Sequence, residues 1–318
     1  MNILIYQPRM FGDIIVGSTC AKALKKKYPD SKITYISSCR ALTETNPFID
    51  KSIEIKIPKR CESIFYNSIK FFYNKSTFLL HWLPENNMLQ SYMVQAGLEK
   101  KNYKMKLYLT DEDLKLAKVY LEKADQSKKY IAIQDDFGRK WNQKEFLKLK
   151  KKLALDYNLI EIGQKMKING KYLNMRQAAA VSSLCDLFVG GISGNLHAAV
   201  AVGTPTIGIS NVFNPEWDMP EYSQNEFIKE PQKKHKTVQI NEYKFCGYHA
   251  KSFHTSQYIY VEGGQYSPGE CFKKFNNGIE VDIPNEDYFE INEHPCRCSI
   301  DCEDVLNEIE NFLFLKNN

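Results

Sequence analysis

The chain has 318 residues, with 43 Lys and Arg against 38 Asp and Glu, for a net charge of +5 at pH 7. This length predicts two domains, each able to bury its own interior. The modest basic excess favours anionic ligands but lacks the basic stripe of a nucleic-acid-binding protein, so no nucleic-acid partner is predicted. Since no apolar run approaches the ~18 residues of a membrane span and no signal segment precedes the first strand, we expect a cytoplasmic protein, with peripheral membrane contact left open.

The first half of the chain alternates strands with helices. Short runs rich in Ile, Tyr and Val predict strands at 2–6, 32–37 and 52–57. Between the first two, apolar residues recur at helical spacing until Pro29 ends the segment, which predicts an opening β–α–β unit. A helix ending at Gly97 and a charged helix over 111–125 follow. We place a domain boundary near 127, which gives an N-terminal domain over 1–127 and a C-terminal domain over 128–318.

The second half repeats this alternation. The predicted elements are strand 130–134, helix 143–155, strand 157–162, helix 174–183, strand 186–190, helix 195–202 and strand 205–209. Such alternation is typical of parallel sheets flanked by helices, with ligands at the carboxyl ends of the strands. The predicted fold class is therefore α/β, with two Rossmann-like halves facing each other across a cleft. A last helix has one apolar face, formed by Val305, Leu306, Ile309, Phe312 and Leu313.

A glycine-rich stretch, "VGGISGNLHAAVAVG", connects a predicted strand to a predicted helix. Glycines let backbone N–H groups approach a ligand, and a helix N-terminus favours an anion such as a diphosphate. Ser193 offers a hydroxyl beside Gly194, and Asn195 opens the predicted helix. His197, in its first turn, is a second candidate ligand of the same anion. An ordinary strand-to-helix turn with a buried histidine explains the pattern equally well.

Two further segments carry candidate charged groups. Arg139 and Lys140 follow the strand at 130–134, where a loop would project into the cleft and neutralise a diphosphate. A solvated loop is the alternative. Asp13 follows the first strand and the turn that contains Arg9 and Gly12. Its spacing suits an N-cap, and a carboxylate at the cleft would also suit a general base.

The chain resembles the heptosyltransferases, glycosyltransferase family nine. The resemblance rests on "MNILIYQPRMFGDIIVGSTCAKALKKKYPDSKITYI", "NPFID", "RKWNQKEF", "LNMRQAAAVSSLCDLFVGGISGNLHAAVAVGTPTIGI" and "DVLNEIENFL", which occur in the family's order. It implies a GT-B architecture with the acceptor on the first domain, near Arg9 and Gly12, and the nucleotide-sugar on the second. It also implies an inverting transfer without a catalytic metal, for which ADP-heptose is the family's usual donor.

Position by position, the resemblance makes Asp13 the catalytic base and assigns Lys140 to the donor diphosphate. Ser193, Gly194 and His197 would lie in the phosphate-binding turn and helix. The acceptor would be lipopolysaccharide core, another bacterial-type surface glycan, or a protein. Ile192 departs from the pattern, because the family usually has an aspartate there that helps hold the donor. That departure opens two alternatives, a different sugar and a non-catalytic relative that binds nucleotide-sugars or glycans. A Rossmann oxidoreductase is disfavoured, since the first turn lacks the GxGxxG fingerprint.

Five of the nine cysteines cluster near the end of the chain: Cys246, Cys271, Cys296, Cys298 and Cys302. In a reducing compartment such clustering favours a metal site over disulfides. Thiolate ligands suit zinc or iron, and a related branch of the resembled family holds iron in this region. We therefore predict a structural zinc or iron site in a Cys-rich C-terminal segment.

Overall fold

The structure, a computed structural model, describes residues 1–79, 88–101, 103–134, 143–163, 165–191, 193–210, 235–239, 259–261, 264–266 and 302–314. Among these residues, no helix combines the length and the apolar character needed to cross a bilayer.

The first sheet is parallel and consists of β1 (Asn2–Gln7), β2 (Lys32–Ser37), β3 (Lys51–Glu54) and β4 (Lys75–Phe78). Its strand order is β3-β2-β1-β4. The interior residues of β1 are buried on both faces of the sheet, as the apolar sequence predicts for a central parallel strand. Because β2 and β4 lie on opposite sides of β1, the strand order reverses between β1 and β4, where ligands of such sheets bind.

The second sheet consists of β5 (Tyr130–Gln134), β6 (Asn158–Ile162), β9 (Leu187–Gly191), β10 (Thr206–Ser210) and β11 (His235–Gln239). Its order, β11-β10-β9-β5-β6, reverses between β5 and β9, and all of its pairings are parallel. Two small antiparallel pairs complete the described strands: β7 (Lys167–Ile168) with β8 (Lys171–Tyr172), and β12 (Ile259–Val261) with β13 (Gly264–Tyr266).

The described helices are α1 (Phe11–Lys27), α2 (Glu62–Ile69), α3 (Met88–Gln95), α4 (Asp111–Leu121), α5 (Gln143–Asp156), α6 (Met175–Ser183), α7 (Gly194–Val202) and α8 (Cys302–Phe314). The periodicity of the sequence predicts most of them to within a few residues. In the second half β7, β8, β11, β12 and β13 are not predicted, and in the first half two regular elements, α2 and β4, are not. Both lie in the aromatic-rich part of the first half, where apolar residues on every side hide the periodicity.

The two halves pack directly on each other. Helix α1 contacts α7, and α4 contacts α6. One core cluster accordingly contains side chains from both halves, among them Ile14, Leu24, Ala180 and Ala198. The backbone N–H of Leu107, between α3 and α4, donates to the carbonyl of Ala201 near the end of α7 at 3.0 Å. The first turns of α1 and α7 are thereby held close together.

Candidate functional site

Asp13 lies in the first turn of α1, directly after the central strand of the first sheet. The N-cap position belongs to Met10, whose extended backbone precedes the helix and whose side chain makes no capping hydrogen bond. The interpretation of Asp13 as the N-cap is therefore wrong by three residues. As a first-turn carboxylate it still complements the helix dipole, but its side chain contacts another helix, α3.

The hydroxyl of Tyr92 on α3 donates a hydrogen bond to Oδ1 of Asp13 at 2.5 Å. Helix α1 follows β1 and α3 follows β4, so this pair bridges the point where the first sheet reverses its strand order. Burial raises the pKa of the Asp13 carboxyl above its usual range, although the hydrogen bond from Tyr92 and the charge of Arg9 oppose the shift. A carboxylate with a raised pKa is a stronger base than an exposed one.

Replacing Tyr92 by Phe is expected to raise the pKa of the Asp13 carboxyl further. The hydroxyl stabilises the charged form of the carboxyl, so its loss removes one of the interactions that lower the pKa. The carboxyl carbon resonance of Asp13, followed through a pH titration, measures this directly. Tyr35→Phe is the matched control, because that buried hydroxyl also contacts α1 but donates to the carbonyl of Ile14 at 3.2 Å. An equal rise in both variants would contradict the expectation.

The second half contributes the first turn of α7. Ser193 is its N-cap and accepts a hydrogen bond from the N–H of Leu196 at 3.4 Å. The helix begins at Gly194, one residue earlier than predicted. The Ser193 hydroxyl also lies 2.9 Å from Oε1 of Gln134, the last residue of β5, and the side chain of Asn195 donates to the carbonyl of Ile162 at the end of β6. This turn is therefore anchored at the carboxyl ends of β5 and β6.

The first turns of α1 and α7 touch through glycines. A Cβ atom on Gly12 would lie 2.5 Å from Cδ2 of His197, which is buried. A Cβ atom on Gly194 would lie 3.0 Å from Cβ of Phe11 and 3.3 Å from the backbone nitrogen of Gly12. A side chain at position 12 would therefore force His197 or the turn to move, and one at position 194 would fit only if its neighbours shifted by a few tenths of an ångström. Asp13 and the anion-binding candidates Ser193, Gly194 and His197 come together at one place.

Arg9 lies on the same loop, between β1 and α1. Its guanidinium is 3.9 Å from the carboxylate of Glu62, which is largely buried. The backbone N–H of Arg9 donates to the side chain of Gln7 at 3.2 Å, and its carbonyl accepts from Ser38 at 2.9 Å. These contacts hold the loop before Asp13 in one conformation.

Several predicted site residues lie outside the described residues: Arg139, Lys140, Ile192, Cys246, Cys271, Cys296 and Cys298. Cys302 is described, as the first residue of α8, and its buried side chain belongs to the core of the second half. Within the described ranges, no group of three or more His, Cys, Asp and Glu side chains is arranged to hold a metal ion. The metal site at the C-terminal cysteines stays a prediction.

Two residues of the site, Tyr92 and Gln134, were not predicted. Gln134 carries a weak signal, because it is a polar residue at the end of the apolar strand "YIAIQ". Tyr92 carries none, since its place in the helical pattern of "MLQSYMVQ" is that of a core residue. Its ring is indeed buried in the core, and only its hydroxyl reaches the site.

No known family profile matches the chain, and no curated protein matches its sequence. Solved structures do match. A family 9 glycosyl transferase from Veillonella parvula DSM 2008 aligns with a TM-score of 0.62 and 16% identity over 98% of this chain and 97% of its own. The ADP-heptose lipopolysaccharide heptosyltransferase II of E. coli aligns with a TM-score of 0.63 and 13% identity over the whole of both chains.

A third match is the E. coli heptosyltransferase TibC, described as dodecameric and iron-containing and solved with ADP-D-β-D-heptose. It aligns with a TM-score of 0.58 and 12% identity over 100% of this chain and 78% of its own. At such identities the similarity establishes a shared fold. The chain therefore has the GT-B fold of two Rossmann-like halves, and the predicted resemblance to heptosyltransferases is confirmed at the level of the fold.

Proposed function

We propose that this chain is an inverting glycosyltransferase that moves a sugar from a nucleoside-diphosphate donor to an acceptor hydroxyl. Heptose is the proposed sugar, since two of the matching structures are described as heptosyltransferases and one of them was solved with an ADP-heptose. The proposed acceptor is a bacterial-type surface glycan such as lipopolysaccharide core, as the name of heptosyltransferase II suggests. A protein acceptor is the alternative.

One observation carries this proposal. A carboxylate with a raised pKa, Asp13, lies on a first turn that touches the first turn of α7 through Gly12 and His197. A base and an anion-binding helix N-terminus are the two groups that a metal-free displacement at a sugar phosphate requires. They come from opposite halves of the molecule, so a donor on one half and an acceptor on the other would meet between them.

The reaction follows from these positions. The Asp13 carboxylate accepts the proton of the acceptor hydroxyl while the hydroxyl oxygen forms a bond to the anomeric carbon. The bond from that carbon to the donor phosphate oxygen breaks, and the nucleoside diphosphate leaves with the electron pair, which inverts the anomeric configuration. Backbone N–H groups at the start of α7 stabilise the negative charge on the leaving diphosphate. Lys140, which lies outside the described residues, is proposed to add a positive charge there.

Burial makes Asp13 suited to this task. Protein replaces water around the carboxyl, which destabilises its ionised form. Asp13 therefore binds a proton more readily than an exposed aspartate does. The hydrogen bond from Tyr92 fixes one oxygen, Oδ1, and so leaves Oδ2 to receive the proton. Tyr92 acts in this proposal as a positioning residue.

The experiment that tests the proposal measures donor binding and turnover separately. Thermal unfolding against ADP, UDP, GDP and CDP, and against their sugars, is expected to show stabilisation by ADP ligands of about 2.7 kcal/mol at a hundred times Kd. Release of ADP from ADP-heptose in the presence of a lipopolysaccharide-core acceptor then tests transfer. Stabilisation by UDP or GDP would instead indicate a UDP-sugar or a GDP-sugar as the donor. Stabilisation without turnover by any donor and acceptor would favour the non-catalytic relative.

A further inference from the structure

The segment that contains α2 has one face in the core of the first half. Phe65, Tyr66 and Ile69 pack against the cluster built on Tyr6. The rings of Tyr6 and Tyr66 stack at 6.0 Å, and both contact Phe78. This inner face accounts for the packing of α2 on the sheet, so the residues on its outer face are not needed for the fold.

The outer face is apolar and aromatic. Ile64 on α2 is 67% exposed, and Phe71 and Phe72, in the short 3₁₀ turn that follows α2, are 81% and 79% exposed. Single exposed apolar residues are common on soluble proteins, but two adjacent phenylalanines with most of their surface in water are not. We call Ile64, Phe71 and Phe72 the α2 patch.

The surroundings of the α2 patch are basic. Between residues 54 and 79 the chain has five Lys and Arg and two acidic residues, Glu54, which pairs with Lys56 at 3.6 Å, and Glu62. Glu62 is buried and faces Arg9, so its charge is directed away from the patch. Lys70 lies over the ring of Phe71 at 5.3 Å and Arg60 is exposed. The patch therefore combines protruding apolar side chains with positive charge.

We propose that the α2 patch docks on an anionic lipid bilayer. Apolar side chains that enter the boundary between headgroups and acyl chains, with basic residues against anionic headgroups, are the features of an interfacial anchor. A bilayer accepts protruding phenylalanines without a complementary pocket, whereas anchors at protein interfaces fill pockets in the partner. The charge of the segment selects an anionic surface over a neutral one.

The start of the segment that contains α2 reaches the loop that leads into the candidate site. Glu62, at the first position of α2, contacts Arg9, and Met10, the next residue, is itself 70% exposed. Phe71 and Phe72 lie at the other end of the segment, close to Asn74, whose backbone N–H donates to the carbonyl of Asn2 at 2.9 Å. The docking itself does not depend on the proposed reaction, since it follows from exposure and charge alone.

Sedimentation with vesicles tests the inference. The full chain is mixed with vesicles of phosphatidylglycerol and phosphatidylethanolamine, or of phosphatidylcholine alone. We expect co-sedimentation with the anionic vesicles that weakens with salt, and at least a tenfold lower partition coefficient for the Phe71→Ser/Phe72→Ser variant. Lys70→Gln should lower the partition coefficient about fivefold, the value for one basic residue at such a surface. Leu155→Ser is the matched control, because Leu155 is 73% exposed on α5 in the other half.

Each outcome supports or overturns the inference. Equal binding to both kinds of vesicle, no binding to either, or an equal loss in the Leu155→Ser control would overturn it. So would a dimer of the wild-type chain, seen by sedimentation velocity, that the double phenylalanine variant dissociates, since the patch would then be covered by a second copy. Vesicle binding needs no turnover, so failure here is separate from failure of the glycosyltransferase proposal.

Discussion

Asp13→Asn is expected to lower the rate of sugar transfer by about 10²- to 10⁴-fold, the contribution of a positioned general base. The amide keeps the shape of the carboxyl and still accepts the hydrogen bond that Tyr92 donates. The amide has no carboxylate oxygen to accept the proton of the acceptor's hydroxyl group. The measurement is ADP release under saturating donor, with donor binding followed in parallel. We expect donor binding to be unchanged, because the proposed diphosphate contacts are the start of α7 and Lys140, and Asp13 is not among them.

The same substitution is expected to leave the protein as stable as before or more so. The folded-state pKa of Asp13 is raised, so its ionisation opposes folding above that pKa, and the neutral amide removes this cost at pH 7. Asp50→Asn is the matched control. Lys25 at 2.9 Å and the N–H of Ile33 at 2.7 Å outweigh partial burial and lower the pKa of Asp50. Asp50→Asn should therefore lose some stability and keep its activity.

These opposite signs separate a catalytic role from a structural one. If Asp13→Asn kept wild-type turnover, Asp13 would not be the base, even with ADP bound. If it lost stability as Asp50→Asn does, its inactivity would report damage to the fold. Only lost turnover with retained stability and retained nucleotide binding agrees with the assigned role.

The second large effect is expected for Arg176→Met, which should lower the free energy of unfolding by about 3–5 kcal/mol, the cost of breaking a buried ion pair by removal of one partner. Arg176 on α6 donates from Nε to Oδ2 of Asp113 at 2.7 Å and from Nη1 to Oε1 of Glu44 at 2.7 Å. Nη1 also donates to the carbonyl of Ala41 at 3.1 Å. Denaturant unfolding of the two proteins measures the difference.

This network joins three parts of the chain. Arg176 belongs to the second half, Glu44 to the first, and Asp113 to α4, which precedes the turn between the halves. Asp113 is buried, and it also forms the capping box of α4 by accepting from the N–H and hydroxyl of Thr110, each at 2.9 Å. Methionine fills the volume of the arginine stem but leaves the Asp113 carboxylate without its counter-ion.

Arg40→Met is the matched control, because Arg40 pairs with the same Glu44 at 2.9 Å while its side chain is 59% exposed. Exposed pairs contribute about 0–1 kcal/mol, so little change in stability is expected. Equal losses of unfolding free energy in the Arg176 and Arg40 variants would contradict the expectation that the buried ion pair contributes more than the exposed one.

Acid should reduce the effect of Arg176→Met. Burial raises the pKa of Asp113, but the hydrogen bonds from Arg176 and Thr110 outweigh it, and the net pKa lies below the usual value. The stabilisation is therefore complete above about pH 4, the pKa of an unfolded aspartate, and is lost as the pH falls through the folded value. A difference between the two proteins that is independent of pH down to the acid transition would show that Asp113 is not the partner that matters.

Much of the fold was predictable from the sequence because the signals are local. Apolar runs place β1, β2, β5 and β9 within a residue or two, and Asn174 with Gln177 forms the capping box that starts α6. Parallel strands bring their carboxyl ends to one edge of a sheet, so Asp13 and Ser193 were expected at those edges because each follows a predicted strand. The segment around α2 was missed because its apolar residues serve two faces, one in the core and one in water.

The sequence by itself determined the alternation of elements and the residue types that follow each strand, since both depend on burial of neighbouring residues along the chain. Only the tertiary structure decided which side chains meet. Tyr92 is 79 residues from Asp13, Ser193 is 59 from Gln134, and Arg176 is 63 from Asp113. Hydrogen bonds between such distant residues depend on how helices pack across sheets, and residue periodicity carries no information about that packing because it describes one element at a time.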